Sequence, residues 1–323
     1  MASAAPELPL TREQWTRALD ALPATPDRIP AFFFGHGSPA LTWPEADLAN
    51  AKLGPMGPYL AHGGPHGPLA AFLRDFGPAL LAKYNPKAIL VFSAHWDTAG
   101  ETLVSDYGDE NPLFMDYYGF QPAMYDVTFK SRGNAALAHR VVGLLNQAGI
   151  NARTTRPTEP RGRDGLGRTV AGLDHGVFVP FRLMFGDDAL AIPVVAASID
   201  GSLAPERNWA LGSAVAKLRE EGVLVLSGGL TVHNLGDFGS LAPASARPLH
   251  HAFNDAVTAA ITLQDPAERK AAMVDLVRHE GFRTSHPRED HFVPVYVAAG
   301  AGAEGGAHLL AGTYGCQTVA FGL

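Results

Sequence analysis

Five histidines lie where a chain would place metal ligands or proton-transfer groups. His36 sits in Phe32-Phe33-Phe34-Gly35-His36-Gly37-Ser38-Pro39. There an apolar run bounded by Pro30 and Gly35 predicts a buried strand that stops at an imidazole held between two glycines. The glycines remove side-chain bulk so that a ligand can approach the backbone, and Pro39 stiffens the exit. The design recurs along the chain. Ala88 to Trp96 is an apolar run closing on Ser93-Ala94-His95-Trp96, and Val223 to Leu226 leads through Ser227-Gly228-Gly229 to Val232-His233-Asn234-Leu235. His175 stands between Asp174 and Gly176, and His291 in Asp290-His291-Phe292-Val293-Pro294. Imidazoles gathered from distant segments can build a mononuclear metal site, but they serve iron, zinc, copper and nickel alike, so residue type does not choose the metal. A histidine outside the ligand set can move protons near neutral pH.

Such residues need a scaffold. Continuous apolar strands alternating with helices predict an α/β fold, a single large domain with a mostly parallel central sheet flanked by helices. Ligands in open sheets of this kind bind at the carboxyl ends of strands, where His36, His95 and His233 are expected. Helices are predicted over Thr11 to Ala21 (Thr11 as N-cap), Pro68 to Tyr84, Asn134 to Ala148, Val177 to Met184, Ala204 to Glu221, Phe253 to Ile261 and Ala267 to His279. Further strands are expected over Glu101 to Ser105 and Ala191 to Ile199, and residues 308–322 as a closing edge strand or hairpin. Residues 1–28 read as an N-terminal extension and 29–323 as the catalytic domain. Within it, 40–67 is a Gly/Pro-rich insertion leaving directly from His36, and the breakers between Ala40 and Pro68 predict a long surface loop, with His62 and His66 solvated. Residues 151–174 read as a polar, arginine-containing loop, and Phe114 to Tyr125 as an aromatic one.

Composition removes several function classes. The chain has 323 residues, 46% hydrophobic, enough for a large core. A net charge of −7 without a run of Lys or Arg argues against a nucleic-acid or anionic-membrane partner. The single cysteine, Cys316, excludes an intrachain disulfide and a thiolate metal cluster, and fits a cytoplasmic protein. No apolar stretch is long enough to span a bilayer, and Met1 to Pro9 lacks the features of a signal peptide. A His-Glu-x-x-His pair, a phosphate loop, a dinucleotide glycine fingerprint and Gly-x-Ser-x-Gly are all missing. Any metal must therefore rely on His, Asp or Glu.

Taken in order, the five histidine motifs resemble those of the class III extradiol ring-cleavage dioxygenases. The nearest branch is the 4,5-DOPA extradiol dioxygenase type, within the superfamily of the protocatechuate 4,5-dioxygenase catalytic subunit. The resemblance spans about residues 29 to 300. It includes Tyr117-Tyr118-Gly119-Phe120-Gln121-Pro122 followed by Tyr125-Asp126, where Gln121 interrupts that branch's Gly-Phe-Pro. The resemblance implies a non-haem Fe(II) centre, with Zn(II) as an alternative occupant, held by His36, His95 and His291. It implies His233 as the acid/base residue and His175 as a second pocket histidine bonding to substrate or oxygen. Tyr117, Tyr118 and Ser38 would line the substrate site. The implied reaction inserts both atoms of O2 into a catechol ring beside the diol and yields a ring-opened semialdehyde acid; small-molecule catechol and O2 are then the partners. Glu289 and Asp290 keep a carboxylate ligand open. Three other readings remain: a zinc-dependent hydrolase using the same histidines, a non-enzymatic interaction scaffold, and a structural metal in an unrelated α/β protein. The sequence carries no sign of an oligomeric state.

Overall fold

The computed structural model describes residues 8–24, 27–45, 48, 56–161 and 170–323. Its strands are β1 (Ala31–Gly35), β2 (Ala88–Thr98), β3 (Thr102–Ser105), β4 (Ala152–Thr155), β5 (Val194–Asp200), β6 (Val223–Gly229), β7 (Ala307–Ala311) and β8 (Thr318–Phe321). They form one sheet in the order β4-β3-β5-β2-β6-β1-β8-β7. The central strands β5, β2, β6 and β1 are mutually parallel, while β8 and β7 add antiparallel beside β1. The α/β fold expected from alternating strands and helices is therefore the fold observed. The C-terminal segment is a hairpin in which β8 lies inside the sheet and only β7 forms the edge.

The helices are α1 (Arg12–Asp20), α2 (Met56–Gly63), α3 (Pro68–Tyr84), α4 (Ala135–Gln147), α5 (His175–Phe185), α6 (Pro205–Val215), α7 (Pro248–Ile261), α8 (Pro266–Asp275), α9 (Phe282–Ser285) and α10 (Pro294–Ala301). Strands β1, β2 and β6 are buried at every position because helices cover both faces. Successive side chains of a strand point to opposite faces, and two separate cores result. Phe33, Leu90, Phe92 and Val225 pack with α4, α6, α7 and α10, whereas Phe32, Phe34, Val91 and Leu226 pack with α1, α3 and α5. Thr11 and Gln14 close the start of α1 as a reciprocal capping box. Asn134 caps α4 through its side-chain oxygen on the Leu137 N–H, at 3.0 Å. Among the described residues no helix is long and apolar enough to cross a membrane.

Two expectations require correction. The stretch 40–68 is not loop throughout: Pro39–Thr42 forms a 3-10 turn and Met56–Gly63 forms α2. Pro58 falls in the first helical turn, where its missing N–H has no helical acceptor to serve, so the breaker does not break. Residues 46, 47 and 49–55 of that stretch lie outside the described residues. His62 is half-buried, with Nε2 2.8 Å from the Tyr314 carbonyl, rather than solvated; His66 is exposed and meets Glu45. Residues 151–174 also hold a strand, β4, whose Ala-Arg-Thr-Thr offers no apolar run to reveal it.

Close backbone approaches fix where the site forms. Gly35 of β1 lies level with Gly229 of β6, and the His36 N–H donates to the Gly229 carbonyl at 3.1 Å. A Cβ on Gly229 would stand 2.5 Å from the His291 carbonyl, so only glycine lets the end of β6 run against the His291 turn. Helix α10, which follows that turn, meets α6 with equal intimacy. A Cβ on Gly212 would lie 1.9 Å from the Val297 carbonyl, and one on Gly300 2.1 Å from that of Trp209. Gly212→Ala is therefore expected to destabilise the fold by about 1–3 kcal/mol, the range of overpacking in a closed core, read as a lowered urea midpoint with unchanged m-value.

Candidate active site

His36 leaves the end of β1 on a buried turn. His95 lies not at the end of β2 but inside it, where the pairing with β5 shifts register between Ser93 and Asp97. Such an irregularity re-aims a side chain without ending the strand. His291 occupies the turn that leads into α10. The three imidazoles are 1%, 6% and 4% exposed, and one ring nitrogen from each lies within 4.8 Å of the others. Ring centroids are 5.2 Å apart for His36–His95, 5.2 Å for His36–His291 and 4.7 Å for His95–His291. The Nε2 atoms of His95 and His291 face each other at 3.1 Å. Among the described residues, neither ring nitrogen of His36 has a hydrogen-bond partner. Buried polar atoms left without partners are costly and rare, and a cation shared by three lone pairs is the arrangement this donor set fits. Burial, reinforced by the neighbouring imidazoles, pushes His36 well below its ordinary pKa and His95 down to about 4. Both rings are therefore neutral near pH 7, as metal ligands must be.

Carboxylates back these rings. Asp116 Oδ2 lies 3.2 Å from His95 Nδ1, and its Oδ1 lies 2.7 Å from His175 Nδ1 while accepting the His175 backbone N–H at 2.9 Å. Asp290 Oδ1 accepts the His291 N–H at 2.9 Å and lies 3.1 Å from its Nδ1. Arg288 forks between Asp290 at 2.7 Å and Asp97 of β2 at 2.8 Å, joining the His291 turn to the strand that carries His95. Burial works against the charged form of Asp116, but His175 and His95 outweigh it and hold the carboxyl well below the usual range. For Asp290 the same opposition is won by His291 and Arg288. Beneath His95, the Ser93 hydroxyl donates to Asp174 at 2.6 Å and accepts the His95 N–H at 3.1 Å. Asp174 also pairs with buried Arg161 at 2.6 Å, whose guanidinium covers Trp96. Asp116 escaped the sequence reasoning, being one polar residue in a loop, and Arg161 stood out only as one of several arginines between 153 and 168 that a polar loop or an anion site would equally explain; the fold gives it Asp174 as partner.

The remaining named residues divide. His233 stacks on His291 with centroids 3.6 Å apart and planes at 13°, and its backbone N–H donates to the Ser285 carbonyl at 2.9 Å. Burial and the neighbouring His291 push its pKa well below the ordinary value. His175 lies 4.0 Å from His95 between centroids, and Tyr117 meets it edge-on at 5.6 Å. The Tyr117 hydroxyl donates to the Met124 carbonyl at 2.6 Å. Tyr118 is 90% exposed and is not brought to the histidines. Ser38 caps the following 3-10 turn through the Ala40 N–H at 3.1 Å, and its hydroxyl bonds to that of Tyr59 in α2.

Two outcomes follow for the site and its support. A Cβ on Gly176 would lie 2.8 Å from His95 Cδ2 and 3.1 Å from Ser93 Oγ. Gly176→Ala is expected to displace the His95 ring and weaken metal binding roughly tenfold or more, measured by equilibrium metal titration. His286, 0% exposed, places Nε2 3.0 Å from the Thr231 carbonyl beneath the His233 segment. Burial pushes it down to about 4, the bond to Thr231 offsetting only part of this. An unfolded histidine titrates near about 6.5. Stability from a neutral His286 is thus complete above that value and is lost as pH falls toward 4. His286→Leu should flatten the fall of urea stability across that window.

Comparison with known proteins gives the same picture. Residues 55–321 match the family described as the catalytic LigB subunit of aromatic ring-opening dioxygenase. The chain is 36% identical to a Schizosaccharomyces pombe protein named 4,5-DOPA dioxygenase extradiol-like protein, over 96% of this chain and 97% of that one. It is 30% identical to the 4,5-DOPA dioxygenase extradiol of Escherichia coli, over 85% of each. A crystal structure of an uncharacterized Escherichia coli K12 protein superposes with a TM-score of 0.62 at 25% identity, covering 91% of this chain and all of that one. The family is metal-dependent, and the His36–His95–His291 cluster could hold a metal ion. With buried imidazoles from three distant segments gathered on this fold, and a family match running through two of them, His95 and His291, the chain belongs to the class III extradiol dioxygenases, the LigB family of ring-opening enzymes.

Proposed function

We propose that the chain is a non-haem Fe(II)-dependent extradiol dioxygenase that opens a catechol ring beside the diol with both atoms of O2, His36, His95 and His291 holding the metal. The observation that carries this reading is the buried triad itself, with both ring nitrogens of His36 lacking a hydrogen-bond partner among the described residues, beside a 3.1 Å His95–His291 pair. Fe(II) bound there would supply a Lewis-acidic, redox-active centre for the diol oxygens and O2, a role the histidine set accommodates and zinc could fill only in part. Three neutral imidazoles leave the metal's charge uncompensated, which favours a diol that gives up protons. His233, kept neutral by burial, accepts one of them and returns it later in the reaction; its stack on His291 holds the ring beside the centre. His175 bonds to substrate or oxygen, and Tyr117 presents its ring to that side of the pocket. Relatives named for 4,5-DOPA support a catechol as substrate, and the single cysteine fits a cytoplasmic setting.

The test is oxygen consumption by anaerobically Fe(II)-reconstituted protein against a panel of catechols that includes DOPA. One O2 consumed per catechol, with a yellow ring-opened product and no turnover by the Zn(II) form, is the expected result. Hydrolytic activity with zinc and no oxygen uptake would replace the proposal with a hydrolase. His233→Gln should retain iron while losing about 10²- to 10⁴-fold in turnover, and undiminished turnover in the metallated variant would remove His233 from the proton path.

A further inference from the structure

We infer that Asp116 is a shared positioning residue, one carboxylate that sets which ring nitrogen of both His95 and His175 faces the centre; the part concerning metal rests on His95 being a ligand, as proposed above. The side chain of Asp116 is 0% exposed, and its two oxygens are divided between the rings. Oδ1 takes His175 twice, through Nδ1 at 2.7 Å and the backbone N–H at 2.9 Å, while Oδ2 lies 3.2 Å from His95 Nδ1. An ionised carboxylate only accepts, so each ring nitrogen facing it carries the proton. His95, kept neutral by burial, is thereby the Nδ1–H tautomer with its Nε2 lone pair turned from the carboxylate, and His175 likewise holds its Nδ1 proton toward Asp116. For His95 that lone pair points among the three gathered nitrogens, 3.1 Å from His291 Nε2. For His175, whose ring centroid is 4.0 Å from that of His95, the carboxylate takes Nδ1 and makes Nε2 the nitrogen that faces a bound hydroxyl or oxygen.

Position adds a second consequence. Asp116 lies in the loop between β3 and α4, directly before Tyr117, and the His175 backbone N–H it accepts belongs to the first residue of α5. The aromatic loop, the start of α5 and the bulge of β2 therefore meet on one side chain. A carboxylate behind a ligand histidine orients the ring and raises its basicity; here the same group also holds the neighbouring pocket histidine.

The test uses Zn(II) as a diamagnetic probe with 15N-labelled histidine. Wild-type protein loaded with zinc is expected to show protons on Nδ1 of both His95 and His175. Asp116→Asn offers one acceptor and one donor in place of two acceptors, so at least one ring should exchange tautomer, and zinc affinity should fall about 10- to 100-fold. A residue that merely caps α5 would lower the urea midpoint and leave affinity and tautomers alone. The inference is overturned by Asp116→Asn binding zinc within about twofold of wild type with both tautomers intact, or by wild-type rings protonated on Nε2. Should Asp116→Asn not fold, the wild-type tautomers decide, together with Asp116→Glu, which keeps both acceptor oxygens and should keep both Nδ1 protons. Wild-type protein that takes up neither zinc nor Fe(II) overturns the metal-centre reading itself, a failure visible before any variant is made.

Discussion

Holding several imidazoles together out of water is the constraint on which this architecture turns. Each ring has two nitrogens that want partners, and a protonated ring would repel its neighbours in a poorly solvated space. The chain answers by giving most rings a fixed partner on one nitrogen. Asp116 bonds to His175 and stands 3.2 Å from His95 Nδ1, Asp290 stands 3.1 Å from His291 Nδ1, and the Thr231 carbonyl meets His286. Among the described residues His36 stands apart, with no hydrogen-bond partner on either ring nitrogen. That asymmetry sets it off from a polar core network, in which every member would be satisfied internally.

The scaffold around these contacts is stiff for identifiable reasons. Parallel strands with two covered faces anchor His36 and His95 on backbone that cannot shift without breaking ladder bonds, and Arg288 ties the His291 turn to β2 through Asp97 and Asp290. Ser93, Asp174 and Arg161 form a second buried brace below His95. Sites built on rigid elements with braced neighbours keep their geometry better than sites carried on loops alone. The Asp116–Tyr117 side of the pocket is supplied by a long irregular segment, attached ahead of α5 by backbone bonds between Pro112, Phe114 and Leu173 and at His175 by the Asp116 carboxylate.

How much of this was legible in the sequence depends on which physical signal each part leaves. The strand before His36 is an unbroken apolar run, and it was readable as buried for that reason; the same holds for β6 and the path to His233. His95 was readable as a candidate ligand but not as lying mid-strand, because Asp97 and Thr98 are polar. They are buried all the same, satisfied by Arg288 and by Ser198. Helix α2 was hidden by Gly57 and Pro58, residues that stop a helix in its middle and are tolerated at its start. Asp116 left no trace at all. A lone aspartate in an aromatic loop has many meanings, and its meaning here comes from a helix that begins almost sixty residues later, with the contact to His175 spanning 59 positions.

The placement of β8 bears on how the protein is made. This strand is near the C-terminal end of the sequence, yet it lies against β1, with Ala31 level with Phe321 and the Gly35 N–H reaching Thr318 Oγ1 across 283 residues. While a nascent chain emerges, β1 has one flank open, and an open apolar strand edge is a template for pairing with the wrong partner. The turn bearing His36 is thus secured on both sides only after residues 307–321 have been made and the β7–β8 hairpin docks. A nascent chain arrested before that point would display most of the sheet with an adhesive seam along its first strand, a state for a chaperone to shelter.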